Sequence, residues 1–142
     1  MSDKIKRVRE LIERLNVMYE EIWLPSRSEL LKVIYEILSK GQEEDKAIEE
    51  GRKVVTKYEP AFVDFLKRLV DEYGLPLIME VMGHSLLEAA RLLYLSEDTL
   101  LLAKSRRKRA QLCDMIDDVG EIVDFYGYLT ILLAKILRGD EP

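Results

Sequence analysis

Two runs of charge in the C-terminal half carry the residue types that could do chemistry. Asp114, Asp117, Asp118, Glu121 and Asp124 are spaced mostly by three or four positions. That interval sets carboxylates on neighbouring turns of one helix, where they can share a divalent cation. Just upstream, Lys104, Arg106, Arg107, Lys108 and Arg109 place five cations in six positions. Such density binds phosphates by charge and counterion release and makes nucleic acid a candidate partner. No aromatic residue interleaves for base stacking and no glycine-rich loop accompanies the run, so the competing reading is a solvated helix face. A third use joins the two runs. An antiparallel second copy would pair Arg106 to Arg109 with Asp114 to Asp124 across a two-fold axis.

Single residues narrow the chemistry. His84 is the only histidine and Cys113 the only cysteine, which removes intrachain disulfides, Cys/His zinc sites and a His-based nucleophile pair with a histidine to spare. His84 reads as a helix residue, Cys113 as a small core residue and Trp23, beside Pro25, as the anchor of an interhelical corner. Gly120 and Gly127 stand against helix propensity, and close helix approach is the expected reason.

Glu121-x-x-Asp124 followed by the apolar run Phe125 to Ile136 resembles the second half of the ExxE…ExxD pattern of the all-α nucleoside triphosphate pyrophosphohydrolases. That resemblance implies magnesium held by four acidic residues on two helices against the substrate's phosphates. The partnering ExxE is missing: Glu88 is followed at the third place by Arg91, and Glu80 and Glu88 are eight apart. At about 100° per residue, Asp114, Asp118 and Glu121 fall opposite Met115, Val119, Ile122, Val123 and Tyr126, which describes a solvated acidic face. Phe125, Tyr128, Ile131 and Leu132 then continue that side as an apolar one. The last turns are hydrophobic all round, and either the rest of the domain or a second protomer must cover them.

With no nucleophile, acid/base pair or cofactor loop in view, the sequence points to a non-enzymatic α-helical interaction or assembly module that self-associates and needs no cofactor. Its alternatives are an accessory nucleic-acid-binding factor using residues 104–109 and a magnesium-dependent phosphohydrolase using residues 114–124. A net charge of −5 argues against a surface devoted to nucleic acid and leaves room for a local basic patch. Met1 to Arg9 is charged throughout with no apolar stretch, and Ile122 to Leu137 contains Asp124 and Lys135. Neither reads as a signal or a membrane span, so a cytoplasmic setting without a membrane partner is expected. One Asn and two Gln beside 22 basic and 27 acidic residues fit a thermophilic source.

The elements that must position these residues are helices. An apolar share of 48% with only seven Gly and four Pro predicts one all-α bundle across residues 1–142, with a short disordered tail at 139–142. Ile5, Val8, Ile12, Leu15, Tyr19 and Ile22 form an amphipathic stripe. Pro25 is expected to end that helix, and Ser26 with Glu29 to cap a second one running to Gly41. A third helix is expected to stop before Pro60, a fourth to run from there to Gly74 and a fifth from Leu77 to Leu95, with Ser96 as the next N-cap. Residues 97–137 form either one long helix or two with a break between Ala103 and Ala110. About six helices result.

Overall fold

The computed structural model describes residues 3–102 and 106–139; the side chains of 93–102, 108, 109, 112 and 115 lie outside the description. Among the described residues there are helices and no strands, as an all-α reading expects. Helix α1 (Asp3–Met18) runs through a π turn (Tyr19–Trp23) directly into α2 (Leu24–Ser39). Helices α3 (Glu44–Tyr73), α4 (Leu75–Leu102) and α5 (Arg106–Arg138) follow. Among the described residues, four continuous helical rods therefore stand where about six helices were expected. Lys104 and residues 140–142 fall outside the described residues, as do 103–105 between α4 and α5.

Pro25 fails as a terminator because of the π turn. A proline ring in an α-helix collides with the carbonyl four residues back, here Glu21, and that residue lies in the widened turn, where the Leu24 N–H bonds to the Tyr19 carbonyl. Ser26 is inside the helix rather than capping it, and its hydroxyl donates to the Trp23 carbonyl at 2.8 Å. Pro60 likewise sits within α3. The true stops are glycines. Gly41, at φ +69°, ends α2, with Gln42 N–H reaching the Ile37 carbonyl at 3.2 Å, the six-to-one bond of a Schellman end. Gly74, at φ +83°, ends α3 with its N–H on the Val70 carbonyl at 2.9 Å. Pro76 then falls in the first turn of α4, where a missing N–H costs nothing; Ser96 is interior to that helix.

The core is built from α1, the π turn, the second half of α3, the first half of α4 and the second half of α5. Leu11, Leu15, Leu66, Leu69, Ile78 and Leu129 are fully buried there, each contributing roughly 1.5–3 kcal/mol relative to exposure. The buried stripe of α1 is Leu11, Leu15 and Met18, whereas Ile5 and Ile12 are exposed. Arg7 ties α1 to α3 by donating to the carbonyls of Glu72 and Tyr73 at 3.1 Å. It thereby serves helix-end acceptors that α3, with no basic residue in its last turn, leaves open. Lys57 to Glu29 together with Gly51 beside Ile34 shows α2 antiparallel to α3, and Lys4 to Glu80 joins the N-terminal turns of α1 and α4.

Close approach governs one glycine, Gly51, and not the two the sequence suggested. A Cβ at Gly51 would meet Leu30 Cδ1 at 3.2 Å and Ile34 Cδ1 at 3.6 Å, while Gly120 and Gly127 have nothing within 4 Å. Cys113 is exposed rather than a core residue. Replacing Gly120 or Gly127 with Ala should therefore raise stability by about 0.5–1 kcal/mol each, by the helix propensity gained. Gly51→Val should lower it by about 1–3 kcal/mol through overpacking. Urea unfolding followed by circular dichroism checks both signs.

Candidate functional site

The widened turn delivers Trp23 into an aromatic cluster. Its ring lies edge-on to Phe62 at 6.3 Å between centroids and tilted against Phe125 at 5.4 Å and Tyr128 at 5.8 Å. Tyr19 and Phe62 extend the cluster to Phe125 and Tyr128 at 5.2 and 5.0 Å. Such pairs add about 0.5–1.5 kcal/mol beyond burial. The polar edge is as specific. The Trp23 indole N–H donates to Glu121 Oε1 at 3.3 Å, and Arg27 Nε donates to the same oxygen at 3.0 Å. The guanidinium sits 5.6 Å above the indole ring.

Between the start of α2, the middle of α3 and α5 lies a cleft of about 190 Å³. Trp23, Leu30, Val54, Val55 and Phe62 line it together with Ser26, Arg27, Tyr58 and Tyr128. Tyr58 donates to Glu29, which also receives Lys57 at 2.9 Å. These two bonds hold the Glu29 carboxyl below its usual range, Tyr58's foremost, and the same bond lifts Tyr58. The Tyr128 hydroxyl is buried and finds no partner among the described residues. Burial, and then the nearby Glu59 carboxylate, push it up to about 12.

The acidic run separates into two groups. Asp114, Asp117 and Asp118 are exposed, whereas Glu121 turns inward onto Arg27 and Trp23. The Asp124 side chain, 60% exposed, lies 3.9 Å from Arg27. Among the described residues, no group of three or more carboxylate, imidazole or thiol side chains is arranged to hold a metal ion. In the basic run, Arg106 and Arg107 are exposed in the first turn of α5, Lys108 and Arg109 belong to that helix, and Lys104 lies outside the described residues. Of the apolar residues that follow, Phe125 and Leu132 are 2% and 1% exposed inside the chain's own core, Tyr128 is half-buried, and Ile131 is 58% exposed. His84 is exposed on α4.

Sequence reasoning missed Arg27, Tyr58 and the cleft. The bond from Arg27 to Glu121 spans 94 positions, which no local spacing can announce. It also missed an exposed face on the α2/α3 hairpin. Leu24, Leu31, Tyr35 and Leu38 on α2 are 42–73% exposed, with Ile48 and Val55 on α3 at 53% and 41%. The inward side chains of α2 (Leu30, Ile34, Ile37) and of α3 (Ala47, Gly51, Val54) each trail these residues by about 90° in the same rotational sense. In an antiparallel pair that offset puts both exposed rows on one side of the hairpin.

Glu121→Ala should cost about 1–3 kcal/mol, because it strands a half-buried guanidinium and an indole N–H, whereas Asp124→Ala should stay within about 0.5 kcal/mol. Denaturant titration of the two variants tests the difference. A second expectation concerns alkali. Burial raises Tyr19, Tyr73, Tyr126 and Tyr128 above the ordinary tyrosine value of 10.0. The folded chain keeps these protons where the unfolded chain releases them, so stability is intact below pH 10.0 and falls as pH rises toward about 12. The urea midpoint measured across that window should drop, and drop less in Tyr128→Phe.

No helix among the described residues is long and apolar enough to cross a membrane. Comparison with protein-family models, with curated proteins and with solved structures finds no match, so the functional reading is carried by the chain's own geometry.

Proposed function

We propose that this chain is a non-enzymatic helical assembly module whose partner is a second copy of itself, joined through the exposed face of the α2/α3 hairpin. The observation that carries the reading is the row Leu24, Leu31, Tyr35, Leu38, flanked by Ile48 and Val55, all more than two-fifths exposed. Its steps of seven, four and three are those of a coiled-coil seam. Lone exposed leucines are ordinary, but a contiguous patch on the order of 500 Å² lies at the upper end for a monomer. Doubled across a two-fold axis it approaches the ~1,200 Å² at which small stable interfaces begin. Asp45 and Arg52, both exposed and within about 80° of Ile48 and Val55 around α3, supply charges of both signs beside this face to set register. Tyr35, the most exposed large apolar residue among the described residues at 73%, is the residue type that anchors such contacts.

Sedimentation equilibrium and light scattering across micromolar concentrations should give a dimer mass. Leu31→Glu combined with Tyr35→Glu should give a monomer of unchanged helicity, since neither side chain belongs to the core. Ile131→Glu, on α5 and 58% exposed, should leave the dimer intact. A wild-type monomer mass throughout would sink the proposal, and dissociation by the Ile131 variant alone would move the interface to α5.

A further inference from the structure

We propose that residues 26–58 form an arm that pivots on the rest of the chain, with the π turn and Pro60 as its paired hinge and the bond of Arg27 to α5 as its clasp. The arm also carries the exposed α2/α3 face, but the pivot does not rest on self-association.

Burial sets the limits of the arm. The principal core joins buried residues of α1, the π turn, α4 and α5 with Phe62 to Tyr73 of α3, and among the described residues none of its members lies between 24 and 57. That stretch has buried positions of its own, Ile37, Ala47, Gly51 and Val54. Leu30 and Ile34 pack on Gly51, and Lys57 and Tyr58 bond to Glu29. A hairpin tied internally and absent from the core moves as one body.

Both rods that join it to the core are weakened at one level. Between α1 and α2 the π turn is followed by Pro25, and α3 contains Pro60. Neither proline has an N–H to donate, so each leaves a carbonyl of the preceding turn without its helical bond. Prolines and π turns are where helices bend. Trp23 against Phe62, at 6.3 Å between centroids, sets the two weak points side by side. A single weak point would be splinted by the intact helix beside it, whereas two abreast define a hinge line.

The junction opposes rotation weakly. A cleft of about 190 Å³ takes the place of a packed interface between Leu30, Val54 and Val55 of the arm and Trp23, Phe62 and Tyr128, so a swing sacrifices few close contacts there. The closed position is held by Arg27, whose guanidinium meets Glu121 at 3.0 Å and Asp124 at 3.9 Å and sits 5.6 Å above the Trp23 ring. All three charged groups are partly exposed, which keeps the clasp weak and open to screening by salt. Lys135 to Glu59 lies on the hinge itself, beside Pro60, where a pivot displaces it least.

Double electron–electron resonance on the full chain tests the pivot. Spin labels on Cys113, the only cysteine and exposed on α5, and on Lys40→Cys at the far end of α2 read the swing. Cys113 with Asp71→Cys, in the core part of α3, is the control pair. Labelled chain is diluted into an excess of unlabelled Cys113→Ser chain, so only distances within one chain are seen. At low salt the Lys40 pair should give one dominant distance. Arg27→Glu, or about 1 M salt with its ~3 Å screening length, should raise the population at a second distance about fivefold, the effect of one partly exposed ion pair. Circular dichroism and the control distance should not change. Pro60→Ala, which restores the helical bond at one side of the hinge, should reverse most of that rise in the Arg27→Glu chain. A distribution unaltered by both Arg27→Glu and salt, an equal change in the control pair, or no effect of Pro60→Ala would each overturn the proposal.

Discussion

The fold depends on a rotation. If residues 3–39 continued in ideal α geometry, the buried stripe of α1 (Leu11, Leu15, Met18) and the inward row of α2 (Leu30, Ile34, Ile37) would point about 100° apart, one residue's turn. A single rod could then not lay both rows against the bundle. The π turn at Tyr19–Trp23 acts as one inserted residue, taking up that angle and bringing the two rows into line. Pro25 stabilises the arrangement from the other side, because the ring that would clash with a regular turn sits behind a widened one.

Once the rotation is made, the neighbouring chemistry follows. Trp23 is carried into the cluster with Phe62, Phe125 and Tyr128, and Arg27, four residues on, is carried over the indole to meet Glu121. This explains why the acidic run is not one object. Its members share a helix and a spacing, yet Glu121 is withdrawn by a guanidinium from α2 and an indole N–H from the π turn, while Asp114, Asp117 and Asp118 remain in water. A carboxylate already satisfied by two donors has less to offer a cation, and exposed carboxylates keep their hydration.

The sequence was most legible where local chemistry decides the outcome. Gly41 and Gly74 terminate helices because their positive φ is cheap only for glycine, and residue types alone announce both. It was least legible where tertiary packing overrides a local rule. Pro25, Ser26 and Pro60 are ordinary break and cap signals, and each is absorbed into a longer helix because the bundle supports the backbone through it. The glycines of α5 misled for the opposite reason. Gly120 and Gly127 imply a neighbour, and the space beside them is open, whereas Gly51 is where α2 and α3 touch. Of the candidate site, Trp23 and Glu121 were visible as residues. Arg27, Tyr58 and the unpartnered Tyr128 hydroxyl were not, because their roles exist only across helices.

Charge along α5 offers a last constraint. Arg106 and Arg107 occupy its first turn with no acidic residue beside them, the end where backbone N–H groups already supply positive charge, so each opposes the helix dipole by a few tenths of a kcal/mol or more. Lys135 and Arg138, in the last turn, favour it. A helix arranged for stability alone would place carboxylates first, and the carboxylates of this one begin two turns later at Asp114. The unfavourable placement is tolerated because α5 draws its stability from Phe125, Leu129, Leu132 and Leu133 at the far end. Among the described residues, Arg106 and Arg107 carry no part of the core, and their placement is left to be set by what the surface meets rather than by what the core requires.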